Sequence, residues 1–212
     1  MERKQIKING KVVKRITING GTFYESSILP SGYKLCDYLQ SDGNQYIDTE
    51  YYPNYLTTLQ VTLQADSSNN FSIGEINGSS GGRGSFCILR DYFCYDYIMA
   101  LSTAIEGSDI LNLTLDKNVL YVNGELKGTQ TRYTRNWTSP RPFTMFALNR
   151  GNGVYTKQTM KIYSLTLLEN GVIVRDYKPA LDADNIPCMY DLVTKKAYYN
   201  LGSGSFTYKL AA

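Results

Sequence analysis

The chain has 212 residues, with 22 Lys and Arg residues, 19 Asp and Glu residues and no histidine. This length is sufficient for one large domain with a substantial core. The absence of histidine excludes a Ser-His-Asp or Cys-His nucleophile and histidine-based zinc sites, and the formal charge of +3 gives no strong field for nucleic acid.

Residues 1–27 predict a basic N-terminal arm. The segment Ile6–Gly10 recurs as Ile16–Gly20, which favours one short β-hairpin. Residues 1–24 carry a net charge of +5, against −2 for the rest of the chain. We expect the arm to anchor the protein, by adding a strand to another subunit's sheet or by binding an acidic surface, although a solvated charged edge explains it equally well. The basic residues of the arm are Arg3, Lys4, Lys7, Lys11, Lys14 and Arg15.

The compartment signals are few. The charged start leads into no apolar segment, so we expect no secretory signal, and no run of eighteen apolar residues predicts a transmembrane helix. Four scattered cysteines do not suggest a disulfide scaffold, and we expect them to be reduced and partly buried. Cys87 and Cys94 are placed either on opposite faces of one strand or across a short hairpin.

Residues 28–212 predict an all-β body. Asn-Gly, which suits type I′ hairpin turns, occurs six times in the chain, and helical periodicity is almost absent beyond the short apolar stretch Ile98–Leu101. Thirteen candidate strands separated by turn signals predict two packed antiparallel sheets or a barrel. These strands lie near residues 33–40, 45–50, 56–65, 71–76, 85–90, 110–115, 118–122, 143–148, 159–168, 172–178, 189–193, 196–200 and 205–209.

Two ends of the body carry a family resemblance. Residues 29–49, LPSGYKLCDYLQSDGNQYIDT, resemble the opening of concanavalin A-like (laminin G-like) jelly-roll domains of phage and prophage virion proteins and of gut-bacterial surface proteins. Residues 160–171, 174–179, 189–193 and 202–206 resemble the closing strands of that family. The resemblance covers about residues 29 to 208 and implies a two-sheet antiparallel jelly-roll sandwich whose first and last strands pair.

The motif residues themselves favour structure over function. Residues 45–49 alternate, so Gln45, Ile47 and Thr49 share one face of a strand and Tyr46 and Asp48 share the other. Tyr190 and Asp191 lie between apolar residues at the start of a predicted strand, where an Asp side chain can stabilise a turn through its own backbone amides. We expect these residues to serve packing and turns, and the binding chemistry to lie in the middle of the chain.

A catalytic site is not expected. The sandwich hydrolases that resemble this fold place carboxylates as Glu-x-Asp-x-Glu, and the chain has no such triplet. The nearest pairs are Asp91 with Asp96 and Asp182 with Asp184. No metal site or cofactor is expected either. Two clusters of side-chain oxygens resemble calcium ligands, but solvated loops are the favoured interpretation of both. The clusters are Asp182, Asp184 and Asn185 in one loop and Asp66, Asn69 and Asn70 in the other.

Carbohydrate sites combine aromatic faces with amide, carboxylate or guanidinium groups, and the middle of the chain does so three times. For each single tyrosine, packing on the sheets is favoured over sugar binding. For Trp137, packing and sugar binding are equally favoured. The candidate residues are Tyr95, Asp96, Arg135, Asn136, Trp137, Asn149, Arg150, Asn152 and Tyr155.

These observations predict a non-catalytic bacteriophage virion protein that is assembled in the bacterial host cytoplasm. The arm would bind other virion proteins, and the sandwich would bind host-surface carbohydrate or another virion protein. The alternative is a carbohydrate-binding module of a bacterial surface protein, and a glycoside hydrolase is the third interpretation. We expect no nucleic-acid or membrane partner, and a homo-oligomer is compatible with the sequence.

Overall fold

The computed structural model describes residues 7–8, 11–12, 15–18, 21–25, 28–65, 71–78, 82–106, 109–150, 153–155 and 158–211. All regular secondary structure in these ranges is β-strand. The described residues contain no helix that is long and apolar enough to cross a membrane. The strands are β1 (Lys7–Ile8), β2 (Lys11–Val12), β3 (Arg15–Ile18), β4 (Gly21–Glu25), β5 (Lys34–Asp42), β6 (Ile47–Asp48), β7 (Thr57–Ala65), β8 (Ser72–Asn77), β9 (Gly82–Leu89), β10 (Tyr92–Ala100), β11 (Leu111–Asp116), β12 (Val119–Val122), β13 (Glu125–Thr129), β14 (Thr144–Met145), β15 (Leu148–Arg150), β16 (Gly153–Tyr155), β17 (Thr159–Glu169), β18 (Val172–Leu181), β19 (Pro187–Asp191), β20 (Lys196–Tyr199) and β21 (Thr207–Leu210).

The backbone before residue 28 forms two short antiparallel pairs, β1 with β2 and β3 with β4. The sequence predicted a single hairpin there. Arg3, Lys4 and Lys14 lie outside the described residues, and only the backbone of Lys7, Lys11 and Arg15 is described. The anchoring role of the arm therefore stays a prediction.

Two larger sheets make up the body. The larger sheet runs β13-β12-β11-β7-β17-β5-β18-β19-β20, with β21 also paired to β5. The smaller sheet runs β10-β9-β8-β15-β16, and its β8–β15 pair is parallel. The pairs within the larger sheet are antiparallel, and neither sheet closes on itself. The open sheets exclude the barrel that the strand pattern left possible.

The core lies between the two sheets. Alternate residues of β7 and β17, such as Leu59, Leu63 and Leu167, form one cluster with Ile73 and Phe86 of the smaller sheet. This alternation of buried and more exposed positions is what a half-buried strand requires, since successive side chains point to opposite faces. The all-β prediction is confirmed, and the body has a sandwich-like arrangement of sheets.

Three strands of the body, β10, β13 and β16, were absent from the sequence prediction. The apolar stretch at 98–101, the best helical segment of the sequence, contributes to β10, and β13 follows the Asn123-Gly124 turn. β10 forms a hairpin with β9 in which Cys94 lies directly opposite Cys87. The hairpin placement of these cysteines is therefore correct, and all four cysteines are buried and free of disulfides. Pairing with a neighbouring strand, rather than local periodicity, determines the structure of residues 92–100.

The first long strand of the body pairs with the last strand. Tyr208 lies opposite Leu39, and Thr207 lies opposite Gln40, in the β5–β21 pair. The opening and closing motifs are therefore neighbours, as the family resemblance implies.

Candidate functional site

Residues 44–49 and 200–206, which we call the motif end, are held together by internal hydrogen bonds. The buried Gln45 side chain accepts hydrogen bonds from the Ser41 hydroxyl (3.1 Å) and the Asp42 amide (2.9 Å), and it donates to the Ser203 carbonyl (3.0 Å). Gln45, Ile47 and Thr49 are buried, whereas Tyr46 and Asp48 are half-buried, as the alternation predicts. The Thr49 hydroxyl donates to the Phe143 carbonyl. These residues serve packing.

Asp191 stabilises the turn that follows β19. Its fully buried carboxylate accepts hydrogen bonds from the amides of Asp176 (2.9 Å) and Val193 (3.0 Å) and from the Thr194 hydroxyl (2.7 Å). Arg175 lies 3.6 Å from the same carboxylate. The structural role expected for this residue agrees with these contacts.

The segment from residue 130 to 141, which we call the 130–141 loop, is fastened to β9 and β10 by Asp96. The Asp96 carboxylate is fully buried. It accepts a hydrogen bond from the Gly84 amide (2.8 Å) and two from Thr134, one from its amide (2.5 Å) and one from its hydroxyl (2.7 Å). The protein thus supplies this buried carboxylate with three hydrogen-bond donors of its own, as a buried polar group requires. Asp96 therefore positions the loop.

Gly84 and residues 53–55 hold the other half of the loop. A Cβ atom at Gly84 would lie 3.1 Å from the Thr138 carbonyl oxygen, and the residue has a φ of +87°, so only glycine suits this contact. On the opposite side, the Tyr55 amide donates to the Trp137 carbonyl (3.1 Å) and the Ser139 amide donates to the Pro53 carbonyl (2.7 Å). The loop is thus fixed on both sides.

Trp137 and Tyr95 lie in the core rather than on the surface. Each is only 3% exposed. The Trp137 ring packs edge-on against Tyr95, with centroids 5.1 Å apart, and also contacts Phe86. In this placement neither ring presents a face to a sugar, so the sequence-based interpretation of Trp137 and Tyr95 as stacking platforms does not fit the structure. The indole N–H of Trp137 has no hydrogen-bond acceptor among the described residues.

Next to the loop lies an open cleft of about 410 Å³, which we call the cleft. The Arg141 guanidinium donates to the Asn77 side-chain oxygen (3.2 Å), and the Asn77 side chain donates to the Arg83 carbonyl (2.9 Å). These bonds connect the loop to the β8–β9 hairpin. The lining residues are Asn77, Arg83, Gly84, Asn136, Trp137, Thr138 and Pro140.

Asn136 is the sequence-predicted residue that the cleft presents most openly. It is exposed and has a φ of +63°, a conformation that asparagine tolerates better than most residues. Arg135 precedes it and is also exposed. Two of the predicted site residues thus lie at the surface of the loop, while Trp137 supports the cleft from below.

Behind the cleft, β8 carries a buried acid that the sequence analysis did not single out. Glu75 is fully buried and accepts a hydrogen bond from the Phe86 amide (3.0 Å). Its second oxygen has no hydrogen-bond donor among the described residues, and the nearby Ser139 hydroxyl donates instead to the Arg141 carbonyl. Burial raises the pKa of Glu75 to about 8, against the opposing effects of the Ser139 hydroxyl, the Phe86 amide and the Arg141 charge.

The remaining predicted site residues are divided. Asn149 is buried and donates to the Pro142 carbonyl (3.2 Å), which is a packing contact. Arg150 is half-buried on β15, opposite Ile76. Asn152 lies outside the described residues, and only the backbone of Tyr155 is described. The structure therefore brings Asn136 and Trp137 together with β8 and β9, and Asn149 supports the backbone at Pro142, directly after the loop.

The Asp182 loop resembles a turn more than an ion site. The Asp182 carboxylate accepts hydrogen bonds from the amides of Asp184 (2.9 Å) and Ile186 (2.8 Å) and from the Tyr199 hydroxyl (2.9 Å). Burial acts to raise its pKa, but these three donors outweigh burial and lower the pKa below its ordinary value. Asn185 accepts a hydrogen bond from Lys34. The second candidate calcium cluster, Asp66, Asn69 and Asn70, lies outside the described residues. Among the described residues, no group of three acidic or thiol side chains is arranged around a common metal position.

Sequence reasoning missed Asn77, Arg83 and Arg141 at the cleft. A signal was present for Arg141 alone. Residues 126–168 contain seven Lys or Arg residues and no Asp or Glu residue. An acid-free basic segment of this length in a weakly charged body would have marked the surrounding region as a binding surface.

Comparison of the chain with protein-family models, with curated proteins and with solved structures found no match.

Proposed function

We propose that the chain is a non-catalytic bacteriophage virion protein with a concanavalin A-like jelly-roll sandwich that binds host-surface carbohydrate. The resemblance of residues 29–49 and 160–206 to virion jelly-roll domains supports the family and the location. The pairing of β5 with β21 agrees with that resemblance. Assembly would take place in the host cytoplasm, and another virion protein is the alternative ligand of the sandwich.

The observation that carries the binding proposal is the cleft beside the 130–141 loop. Its volume is within the range of small-ligand sites, and its lining offers amide and guanidinium donors of the kind that bind sugar hydroxyls. The loop is fixed in advance by Asp96, Gly84 and residues 53–55. A fixed site loses little conformational entropy when a ligand binds.

The carboxylates near the cleft support a non-catalytic role. Asp96 accepts three hydrogen bonds, one from Gly84 and two from Thr134, and both Asp96 and Glu75 are fully buried. A retaining glycosidase needs two accessible carboxyl groups about 5 Å apart. Incubation of the protein with the host polysaccharide tests this point, because release of reducing sugar would contradict the non-catalytic proposal.

The binding proposal is tested with immobilised surface polysaccharides of the host bacterium. We expect saturable binding that falls at least about tenfold in an Arg83→Ala/Asn136→Gly variant, since both changes remove polar groups from the cleft and glycine keeps the positive φ at 136. Asn170→Gly makes the same exchange at a positive φ in an exposed turn outside the cleft, and it serves as the matched control. Absence of binding to every polysaccharide would contradict the proposal, and undiminished binding by the double variant would exclude the cleft.

The arm is proposed to attach the sandwich to other virion proteins. Its basic charge and β-forming repeat support strand addition or contact with an acidic surface. Removal of residues 1–27 should leave a folded body and abolish incorporation into particles. Particles that incorporate the shortened chain normally would contradict this role.

A further inference from the structure

The positive charge of the body is concentrated in one stretch of chain. Residues 126–168 carry seven basic and no acidic residues, whereas the other residues from 25 to 212 carry a net charge of −9. Over residues 25–212 these charges nearly cancel, so the net charge hides a basic segment of the chain.

Arginines from three separate elements lie at the cleft or next to residues that line it. Arg83 lines the cleft from β9, and Arg135 lies next to Asn136 in the 130–141 loop. Arg141 is hydrogen-bonded to Asn77, which also lines the cleft. Arg150 lies in β15 opposite Ile76, the residue before Asn77. The nearby acids, Asp96 and Glu75, are fully buried.

Two of these arginines have no carboxylate partner in the described part of the chain. Arg83 and Arg135 are exposed, and none of the described carboxylates forms an ion pair with either. Other surface cations are divided, since Lys178, Lys196 and Lys209 each pair with a carboxylate, whereas the exposed Lys195 forms no ion pair within the described residues. The charge of Arg83 and Arg135 is therefore available to an anion supplied from outside.

The shape and charge of the surface select the kind of anion. Guanidinium groups bind carboxylate and phosphate oxygens through paired hydrogen bonds. A duplex nucleic acid needs an extended positive field, which residues 25–212, with a net charge of −2, do not supply. A concave site of about 410 Å³ with amide groups beside the arginines fits one or two sugar units that carry an acidic group.

We infer that the cleft binds an acidic saccharide, with Arg83 and Arg135 contacting its carboxylate or phosphate group and Asn77 and Asn136 contacting its hydroxyls. The inference rests on the proposed carbohydrate function and narrows it from saccharides in general to anionic ones.

The test compares one polysaccharide with and without its charge and adds a polymer that carries phosphate. The full chain is titrated with polygalacturonate, with the same polymer after reduction of its carboxyl groups, and with a poly(glycerol phosphate), while affinity is measured by calorimetry. We expect at least one anionic polymer to bind about tenfold or more tightly than the reduced polymer, and this preference to shrink as salt is raised from about 0.05 M to about 0.5 M. The anionic polymer that binds identifies the carboxylate or the phosphate as the recognised group.

Variants locate the effect. Arg83→Gln and Arg135→Gln should each weaken binding of the anionic polymer about fivefold, and the double variant more than about tenfold, since each guanidinium makes a charge-assisted contact. Lys195→Gln removes one exposed positive charge in the β19–β20 turn and should leave affinity unchanged. Because all three side chains are exposed, thermal unfolding of the variants should match that of the parent.

Four outcomes overturn the inference. These are equal binding of the reduced polymer, absence of binding by both anionic polymers, full affinity in the double variant, and tighter binding of duplex DNA than of either polymer. Equal binding of charged and reduced polymers that is lost in the Arg83→Ala/Asn136→Gly variant would leave the proposed carbohydrate function intact. Failure of every saccharide to bind would contradict both this inference and the proposed carbohydrate function.

Discussion

The motif end and the cleft are both built from loops at the edges of the sheets, yet they differ in how their polar groups are used. At the motif end, Gln45 and Thr49 are buried and bonded to neighbouring backbone, and the adjoining groove of about 260 Å³ is lined by an ion pair between Lys196 and Glu50. At the cleft, Arg83 and Arg135 are exposed without a carboxylate partner in the described part of the chain. Paired groups stabilise the fold, whereas unpaired surface groups remain free for a ligand. The motif residues that carry the family resemblance, such as Gln45 and Thr49, belong to the paired groups.

The largest expected effect breaks the support beneath the cleft. Trp137→Ala should lower the free energy of unfolding by about 3–5 kcal/mol, because it removes a buried indole that packs against Tyr95 and Phe86. Urea unfolding measures this change. Unaltered stability together with lost saccharide binding would show that the ring is a surface platform after all, and would reverse the assignment made from its burial.

A second change breaks the motif end instead. A Cβ atom at Gly202 would lie 2.0 Å from the Asn44 carbonyl oxygen, so Gly202→Ala forces two backbone segments apart. We expect a loss of roughly 2–3 kcal/mol in the free energy of unfolding. Saccharide affinity of the folded fraction should stay unchanged. A variant with reduced affinity and normal stability would mean that the motif end takes part in binding.

A smaller effect is expected when the fastening of the loop is weakened. In Asp96→Asn one carboxylate oxygen becomes an amide donor facing the donors of Thr134, and the charge that strengthened these bonds is lost. We expect a loss of about 1–3 kcal/mol in unfolding free energy and faster hydrogen exchange of the Gly84 and Thr134 amides. Exchange rates equal to those of the parent at both amides would contradict the positioning role of Asp96.

The smallest effect concerns pH. The pKa of Glu75 is about 8 in the folded protein, well above its ordinary value of 4.5. Between pH 4.5 and pH 8 the Glu75 carboxyl group is deprotonated in the unfolded chain and protonated in the folded protein. The contribution of Glu75 to the free energy of unfolding is therefore fully present below pH 4.5 and is lost as pH rises to 8. Glu75→Gln should therefore raise stability at pH 8 by about 1–2 kcal/mol and change it little at pH 4.5. Equal stabilisation at both pH values would contradict the raised pKa.

The strands and many turns followed from local pattern. Asn123-Gly124 and Asn170-Gly171 have positive φ at both positions, which is the backbone that their dipeptide favours in a hairpin. The alternation at residues 45–49 likewise gave the correct buried face. Such features depend on neighbours in sequence, and so they are visible in it.

The cleft was only partly predictable because contacts between distant residues create it. Trp137 stands among arginines and asparagine in the sequence, but its ring is covered by Tyr95 and Phe86, which lie more than forty residues away. Asp96 has the appearance of half of a catalytic pair until its three donors are known. Arg83 and Asn77 reach the loop through a hairpin that no local pattern connects to residues 130–141.

The pairing of β5 has a consequence for synthesis of the protein. In the described part of the chain its partners are β17, β18 and β21, all of which follow residue 158. A nascent chain leaving the ribosome therefore holds its first long strand unpaired while more than a hundred further residues are added. Pairings between such distant segments form slowly, and an unpaired strand edge is prone to association with other chains. The incorporation of β5 into the larger sheet thus takes place only after most of the polypeptide has been made.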